Sequence, residues 1–339
     1  MALTINTNVS SLIAQRSLNS ATNSLNVSLE RMSTGYKINH PSDDAAGYSI
    51  SNMWVTQLGS LDVTAANAST GADMLTTAEE TYGLLTSHLQ RIRDLTEQAA
   101  NGTYGTASLR AIHSEVVARL QEINRISGNA EFNGIKLMRY NTDSGADNSK
   151  VGLTDAGVNL QVGLYADADS QINLGIDLFS DASISGLFKG LKTTPTSQSG
   201  KTLTQIMSAA GGDASAFNTH IEGFAAACAG MIYNSSTKTL SWQTDKDFGA
   251  KEMLGFLDSS IDEISRRVTA VGAAQNRVTS ALAALDIQSQ NITSSLSTLR
   301  DTDIAAESSN YIKSQILQQA SATLLATANQ SPSIAVNLI

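Results

Sequence analysis

The chain has 339 residues, with 31 acidic side chains against 22 basic ones and a formal net charge of −9. This acidic balance without a basic cluster argues against binding to nucleic acid or to an anionic membrane. The single cysteine, Cys228, excludes an intrachain disulfide, and its small apolar neighbours favour a buried, unreactive thiol. No apolar run reaches the about 18 residues of a membrane helix, and the N-terminal segment lacks a signal-peptide pattern.

The first 40 residues predict an amphipathic helix. Gly35 and Pro41 end it, and Ser42-Asp43-Asp44 then offers side-chain acceptors to the start of the next helix. We favour this capping role over a metal-binding aspartate pair. The stripe that defines the first helix has heptad-like spacing and consists of Leu18, Leu25, Leu29, Met32 and Tyr36.

A much longer helix is predicted from residue 44 to about residue 100, where Asn101-Gly102 breaks it. At 1.5 Å per residue it would be about 80 Å long. A second helix at about 106–127 is expected to fold back antiparallel on it. The inner face of the long helix is Leu75, Ala78, Tyr82, Leu85, Leu89, Ile92 and Thr96, and that of the second helix is Val116, Leu120, Ile123 and Ser127.

The middle of the chain changes its periodicity. Asn133-Gly134 is a turn dipeptide, and two alternating stretches, Leu160 to Leu164 and Ile172 to Leu178, predict a β-hairpin with one buried face. The segment 181–249 is interpreted as a small inserted α/β unit. Within it we expect short helices near 202–210 and 214–232 and a strand near 238–243.

The C-terminal third returns to a helical pattern, which Pro332 is expected to end. Its apolar positions are Val278, Leu282, Leu285, Ser289, Ile292, Leu296 and Leu299, followed by Ile312, Ile316, Leu324 and Leu325. The predicted fold is mainly α: a long antiparallel helical bundle or coiled coil with a β-hairpin and a small inserted α/β outer domain. Each terminal stripe needs a partner, so the two chain ends should pair with each other and with neighbouring copies.

Motifs for catalysis or cofactor binding are missing from the sequence. Gly200-Lys201-Thr202 lacks the first glycine of a phosphate loop, because Pro195 occupies that position. The histidines His40, His88, His113 and His220 lack metal-ligand spacing, and neither H-E-x-x-H nor G-x-S-x-G occurs. We therefore expect a protein that is not an enzyme and has no cofactor and no metal site.

Several ordered motifs lie at the two ends of the chain. The N-terminal motifs are 5–8 (I-N-T-N), 29–39 (L-E-R-M-S-T-G-Y-K-I-N), 43–47 (D-D-A-A-G), 89–95 (L-Q-R-I-R-D-L), 119–123 (R-L-Q-E-I) and 132–134 (F-N-G). The C-terminal ones are 272–277 (G-A-A-Q-N-R), 314–320 (S-Q-I-L-Q-Q-A) and 328–330 (A-N-Q). Together these motifs resemble those of the bacterial flagellins. The resemblance covers about 1–140 and 255–339 and includes the hairpin, whereas 181–249 matches the variable outer region only by position.

This resemblance implies three domains: terminal D0 helices at 1–42 and 300–339, a D1 bundle with the hairpin at 43–180 and 250–299, and a D2-like outer domain at 181–249. It also implies a subunit that polymerises into the extracellular flagellar filament for swimming motility, after export in an unfolded state by the flagellar type III apparatus. The implied partners are copies of the chain, hook-associated junction and cap proteins, an export chaperone at the C-terminal helix and a host Toll-like receptor. Nucleic-acid binding and membrane insertion are not expected. The alternatives are a hook–filament junction protein and a flagellin with an enzymatic insert.

Two sets of site residues are carried over or predicted. The resemblance maps a candidate receptor contact onto Gln90, Arg91, Arg93, Leu95 and Glu115. Within it, Arg91 lies off the heptad stripe and Leu95 lies at its edge, so both are expected to face a partner, while the departure at Glu97 adds a negative charge nearby. The predicted polymerisation seams are Leu18, Leu25, Leu29, Met32, Leu282, Leu285, Ile292, Leu296, Leu299, Ile316 and Leu324.

Overall fold

A computed structural model describes residues 8–139, 157–165, 167–184, 187, 225–226, 228–234, 239–242 and 250–337. The chain divides into two compact units. Unit 1 comprises Met1–Asp62 and Asp286–Ile339, and unit 2 comprises Val63–Leu285. The finer division into D0, D1 and D2-like domains stays a prediction.

Five long helices dominate the described residues. They occupy the stretches predicted to be helical, but the C-terminal pattern, which was predicted without a break, is divided into two helices. The five helices are α1 (Val9–Thr34), α2 (Ala45–Ala100), α3 (Thr106–Asn129), α4 (Ala250–Arg300) and α5 (Ile304–Asn337). The mainly α fold class is therefore confirmed, and α2 and α3 begin and end within two residues of their predicted bounds.

Local caps bound the helices of unit 1, and one of them lies where the sequence predicts. The Oδ1 atom of Asn8 accepts a hydrogen bond from the backbone N–H of Ser11 at 3.1 Å, at the start of α1. Gly35 ends α1 with a φ of 78°, a left-handed conformation that favours glycine. At the start of α2, Asp44 Oδ1 accepts from the Gly47 N–H at 2.9 Å. The predicted capping role of the 42–44 segment is thus confirmed at Asp44.

The core of unit 2 is aliphatic and buries the predicted inner faces of α2 and α3. All seven stripe residues of α2 from Leu75 to Thr96 are fully buried, as are Val116, Leu120 and Ile123 of α3. Both α3 and the unit 2 part of α4 run antiparallel to α2. Along α2, His88 and then Arg91 contact Arg119 and then Glu115 of α3, so the α3 numbers fall as the α2 numbers rise. In the same way, Glu79 and Arg93 contact Gln275 and Asp258 of α4.

The predicted β-hairpin is present, although it is shorter than expected. Strand β1 (Glu131–Phe132) and β2 (Ile135–Lys136) flank the predicted Asn133-Gly134 turn, and both turn residues have positive φ angles of 48° and 81°. The larger hairpin pairs β3 (Val158–Gln161) with β4 (Gln171–Leu174). The predicted continuation to Leu178 is wrong, since pairing ends at Leu174 and a 3-10 turn, Ile176–Phe179, follows.

Part of the predicted inserted unit is described. Strand β5 (Met231–Asn234) pairs antiparallel with β6 (Thr239–Trp242), which confirms the strand near 238–243. The predicted helix at 214–232 is wrong at its C-terminal end, where Gly230 takes a φ of 68° and the β-prone sequence Met231-Ile232-Tyr233 forms β5. The predicted helix at 202–210 lies outside the described residues.

Helix α5 continues past Pro332, so the predicted stop there is wrong. A proline inside a helix leaves the carbonyl four residues earlier without its usual N–H donor. Here that carbonyl belongs to Ala328, and it accepts a hydrogen bond from the side-chain amide of Asn8 at 2.6 Å. A donor from the far end of the chain thus replaces the missing one.

Candidate assembly and recognition surfaces

Helices α1 and α5 of unit 1 pair antiparallel through a seam of small and polar side chains. The Ser11 hydroxyl donates to Asn329 Oδ1 at 2.7 Å, and the Gln318 amide donates to the Thr22 hydroxyl at 3.1 Å. The buried seam positions recur every seven residues and are Ala14, Ala21 and Ser28 on α1 and Glu307, Ser314 and Ser321 on α5. Small side chains let two helix backbones approach closely, but they bury little apolar area.

Large aliphatic side chains of the same two helices point to solvent. Leu12 and Ile13 on α1 are each 60% exposed, and Leu324 on α5 is 61% exposed. The full set is Val9, Leu12, Ile13, Val27 and Leu29 on α1 and Ile304, Ile312, Ile316, Leu317 and Leu324 on α5. We name these ten residues the aliphatic faces. Ten exposed aliphatic side chains on two paired helices are more than a monomer needs and make these helices candidates for protein association.

The predicted polymerisation seam residues differ in their exposure to solvent. Leu29, Ile316 and Leu324 belong to the aliphatic faces, so pairing between the two chain ends does not cover them. For Leu29 the reason is its position in the heptad. The buried α1 positions are Ala14, Ala21 and Ser28, and Leu29 follows Ser28 by one residue, so its side chain leaves the helix on a different face. Leu285 is buried, and the remaining predicted positions are half-buried: Leu18, Leu25, Met32, Leu282, Ile292, Leu296 and Leu299.

Two backbone hydrogen bonds join the α1–α2 connection to the α4–α5 connection within unit 1. The Lys37 N–H donates to the Arg300 carbonyl at 2.7 Å, and the Thr302 N–H donates to the Gly35 carbonyl at 2.9 Å. The Arg300 guanidinium lies 3.9 Å from the centre of the Tyr36 ring, a cation–π contact. These contacts join the end of α1 to the start of α5 and hold the two helices in register.

The candidate receptor residues Arg91 and Glu115 contact each other directly in unit 2. The Arg91 Nε atom donates to Glu115 Oε1 at 2.9 Å, and the side chains are 42% and 36% exposed. This hydrogen bond is the main reason that the pKa of Arg91 lies above its ordinary value. Arg119 lies 3.6 Å from the same carboxylate. The antiparallel packing of α2 and α3 therefore builds one part-exposed charged patch.

The remaining candidate receptor residues differ in exposure. Gln90 is exposed, and Arg93 donates to Asp258 at 2.5 Å and to Glu97 at 3.3 Å. Glu97, expected to add an unbalanced negative charge, is thus paired with Arg93. Leu95 is only 2% exposed, so the expectation that it faces a partner is wrong. Both α3 and α4 pack on α2, which makes the buried face wider than a single heptad stripe.

Cys228 and the histidines show no arrangement for chemistry in the described part of the chain. The Cys228 thiol is fully buried, and burial raises its pKa to about 12, a shift that a hydrogen bond with Thr96 partly opposes. Burial also lowers the pKa of His88, with a further contribution from the Arg119 charge. Among the described residues, no group of three or more His, Cys, Asp or Glu side chains is placed to hold a metal ion.

A helix that crosses a bilayer needs about 20 mainly apolar residues in a row. None of the helices within the described ranges combines that length with that apolar character.

Paired terminal helices that bury small residues and expose aliphatic ones, together with an aliphatic helical core, are typical of a self-associating structural subunit. Two family models match the sequence: the bacterial flagellin N-terminal helical region over residues 5–142 and the bacterial flagellin C-terminal helical region over residues 254–339. Polar flagellin F of Vibrio parahaemolyticus is 33% identical over the whole of both chains, and flagellin D of Vibrio anguillarum is 34% identical over the same extent. Polar flagellin A of Vibrio parahaemolyticus is 35% identical, again over the full length of both chains.

The chain belongs to the bacterial flagellin family. It is a structural subunit of the bacterial flagellar filament, which lies outside the cell. The two regions that the family models match are the same two regions that carry the flagellin-like motifs.

Proposed function

We propose that the aliphatic faces of α1 and α5 are the surfaces through which neighbouring copies bind in the filament. The observation that carries this proposal is the contrast between small buried seam residues and large exposed aliphatic ones on the same two helices. Burying one leucine contributes about 1.5–3 kcal/mol. Ten such side chains supply a driving force for association that the α1–α5 pair by itself leaves unused.

The same faces also suggest which proteins bind before and after polymerisation. Exposed aliphatic surface promotes aggregation, so a cytosolic export chaperone that covers α5 around Ile316 and Leu324 would keep the subunit monomeric. Export in an unfolded state through the flagellar type III apparatus suits long helices with local contacts. At the two ends of the filament, hook-associated junction and cap proteins would contact the faces that no further copy covers.

The assembly faces are tested with the double variant Ile316→Ser/Leu324→Ser, which makes two exposed aliphatic positions polar. Because neither side chain is buried in the monomer, its helicity and melting temperature should stay unchanged. The critical concentration for polymerisation should rise at least about tenfold. Gln319→Ser, another exposed position of α5, is the matched control. Normal filament yield from the double variant would refute the proposed faces.

No catalytic role is proposed, because the family is structural and the sequence contains neither H-E-x-x-H nor G-x-S-x-G. The alternative of an enzymatic insert at 181–249 is tested with a peptidase assay on purified filaments. Substrate turnover that persists after removal of contaminating proteases and disappears on deletion of 185–245 would reverse this part of the proposal.

A second proposed role is recognition of the unassembled subunit by a Toll-like receptor through Gln90, Arg91, Arg93 and Glu115. The supporting observation is the Arg91–Glu115 contact, which presents a planar guanidinium on a part-exposed surface with its fork oriented by a carboxylate. Arginine is a frequent anchor of protein interfaces. A receptor that offers its own carboxylate would engage the remaining Arg91 donors.

A receptor reporter assay compares the wild-type monomer with Arg91→Ala, for which we expect a signal at least about tenfold weaker. Arg125→Ala is the matched control, because Arg125 is an ion-paired arginine of α3 that donates to Glu122 outside the patch. Polymerised protein should signal less than monomer if the patch is covered in the filament. An unchanged response from Arg91→Ala would remove this role.

A further inference from the structure

The chain contains two Asn-Gly pairs, Asn101-Gly102 directly after α2 and Asn133-Gly134 between β1 and β2. An asparagine that precedes glycine is open to attack by its own backbone, because glycine has no Cβ atom to obstruct the nitrogen that follows the asparagine. Both asparagines and both glycines are exposed to solvent. Exposure therefore does not distinguish the two pairs, and the conformation of the backbone decides which of them reacts.

The reaction converts a side-chain amide into a carboxylic acid without any change of oxidation state. The glycine nitrogen attacks Cγ of the asparagine, the bond between Cγ and the amide nitrogen breaks, and ammonia leaves with the proton that the glycine nitrogen gives up. A succinimide ring remains. Water from the solvent then adds to either ring carbonyl, and the ring opens to aspartate or to isoaspartate, in which the backbone continues through the side-chain carbon.

Asn133 is held in a conformation that opposes this attack. Its φ is 48° and that of Gly134 is 81°, as a two-residue hairpin turn requires. In the left-handed conformation, Cβ lies on the opposite side of the Cα–C bond from the nitrogen of the next residue. Ring closure would need a rotation about that bond in Asn133, and the pairing of β1 with β2 on both sides of the turn resists it.

Asn101 is not restrained in this way. It follows the last residue of α2, and its turn is closed by a long hydrogen bond from the Tyr104 N–H to the Asn101 carbonyl at 3.4 Å. Gly102 is not in the left-handed region, and a Cβ atom there would meet nothing within 4 Å. The attacking nitrogen thus has open space around it, and no strand pairing fixes the asparagine.

We propose that Asn101 is a site of spontaneous deamidation, at which the native subunit slowly acquires aspartate and isoaspartate while Asn133 keeps its amide. The filament lies outside the cell, so its subunits remain in contact with water for as long as the filament lasts. This modification is independent of the assembly and recognition surfaces proposed above. It adds a negative charge to each chain that reacts.

The new carboxylate lies at the C-terminal end of α2, where it is unfavourable. The last backbone carbonyls of a helix carry a partial negative charge, so a further negative charge beside them is repelled. The last turn of α2 contains no basic side chain that would balance it. Isoaspartate also inserts a methylene group into the backbone of the turn. We therefore expect the last turn of α2 to open more readily in modified chains.

Peptide mapping of the aged, soluble wild-type subunit tests the site. Trypsin separates Asn101, in peptide 94–110, from Asn133, in peptide 126–136. Mass spectrometry should show loss of the amide from peptide 94–110 that increases with time and with pH, and L-isoaspartyl methyltransferase should methylate that peptide. Peptide 126–136 should react at least about tenfold more slowly. Equal rates in the native protein, or reaction at Asn133 alone, would overturn the proposal.

Two controls separate the effect of structure from that of sequence. In urea both pairs should deamidate at similar rates, because unfolding removes the restraint on Asn133; a difference that persists in urea would show that the hairpin is not its cause. Gly102→Ala should slow the reaction at Asn101 at least about tenfold without unfolding the chain, since position 102 has room for a Cβ atom. An unchanged rate in this variant would exclude the Gly102 nitrogen as the attacking atom.

Amide hydrogen exchange tests the consequence for α2. The aged wild type should lose protection at 97–100, whereas aged Asn101→Gln should not, because a glutamine would have to close a larger, less favourable ring. Asn101→Asp, which supplies the charge without the added methylene, should show a smaller loss. Equal loss in aged Asn101→Gln would assign the effect to another change. Unaltered exchange in chains that contain isoaspartate would refute the loosening of α2.

Discussion

Units 1 and 2 both repeat their buried helix positions every seven residues, but the side chains at those positions differ in size and polarity. In unit 2, the stripe from Leu75 to Ile92 is apolar and fully buried against the other elements of that unit, and all of its side chains except Ala78 are large. In unit 1, the seam between α1 and α5 contains alanines, serines and the buried Glu307, while leucines and isoleucines face outward. Spacing therefore shows which face of a helix meets its partner, and side-chain size shows how much that contact stabilises the monomer.

The difference has a functional consequence. Unit 2 buries the apolar stripes of α2 and α3 by itself, so its free energy of unfolding arises within one chain. Unit 1 leaves comparable side chains in water, and their burial requires another chain. We therefore expect monomer stability to depend on unit 2 and polymer stability to depend on unit 1.

The largest expected effect comes from Leu89→Ala in unit 2. Leu89 is fully buried, so a cavity should form and the free energy of unfolding of the monomer should fall by about 2–5 kcal/mol. Leu324→Ala in unit 1 should leave monomer unfolding within about 0.5 kcal/mol of wild type and weaken only the filament. Urea denaturation of dilute monomer measures the free energy of unfolding of both variants. Equal decreases in the two variants would contradict the proposed difference between the units.

The Cys228 thiol provides an independent readout of the same contrast. It lies in the unit 2 core, where burial raises its pKa to about 12, so it should react with a thiol reagent only when unit 2 opens. Labelling should accelerate in Leu89→Ala and stay at the wild-type rate in Leu324→Ala. Rapid labelling of the native wild type would contradict the buried position.

Gly71→Ala tests the close packing of the hairpin against α2 in unit 2. A Cβ atom at Gly71 would overlap the Leu160 side chain of β3, so we expect a loss of about 1–3 kcal/mol in the free energy of unfolding. At Gly83, also inside α2, a Cβ atom meets nothing within 4 Å, and Gly83→Ala should stabilise the helix by about 0.5–1 kcal/mol.

The decisive control is Leu160→Ala in the Gly71→Ala background, which removes the overlapping atoms. Coupling between the two substitutions would locate the overlap at this pair. Additive effects, or a stabilising Gly71→Ala, would show that the hairpin does not pack closely there.

Asn8→Ala tests the pairing of chain ends in unit 1. It removes both the cap of α1 and the donor to the Ala328 carbonyl, so we expect a loss of about 1–2 kcal/mol in the local stability of α5. Asn8→Ser should keep the cap and lose only the second contact. Amide hydrogen exchange of α5 measures the effect.

Pro332→Ala is the matched rescue, because an alanine at that position supplies the helical N–H that the Ala328 carbonyl lacks. In the Pro332→Ala background, Asn8→Ser should cost little. If Asn8→Ser has the same effect with either residue at position 332, the side-chain amide does not replace the missing donor.

The smallest expected effect is the pH dependence contributed by Asp43 in unit 1. Backbone hydrogen bonds from His40, and then Asn39, lower the pKa of its carboxyl group. Its contribution is therefore present above the unfolded-state pKa of about 3.9 and is lost as the pH falls through the lower folded-state value. The melting temperature of Asp43→Asn should be slightly lower than that of wild type at pH 7, and the difference should shrink below pH 4. A constant difference across this range would contradict the assignment.

Particular elements show how far the sequence predicted the structure. The α2 stripe was predictable residue by residue because most of its positions are large and apolar and all recur with helical spacing. The α1–α5 seam was missed because hydrophobic periodicity gives little weight to alanine and serine, although Ala14, Ala21 and Ser28 recur every seven residues. A search for small residues at that period would have found it.

Other outcomes depended on contacts between residues distant in sequence. The stop predicted at Pro332 fails because Asn8, at the other end of the chain, donates to the Ala328 carbonyl. Leu95 is buried because α2 meets two other helices, which no single-helix pattern contains. The contact of Arg91 with Glu115 also required the register of α2 on α3.

By itself the sequence determined the helices, the turn at Asn133-Gly134, the hairpin and the family. Periodicity, turn residues and motifs are local signals, because each depends on neighbouring residues in a single segment. Only the tertiary structure decided which stripe residues face inward and which carbonyl receives a substitute donor. The physical reason is that burial and hydrogen-bond satisfaction depend on the atoms that another segment brings into contact. A linear pattern records the donors and the apolar groups, but it does not record their partners.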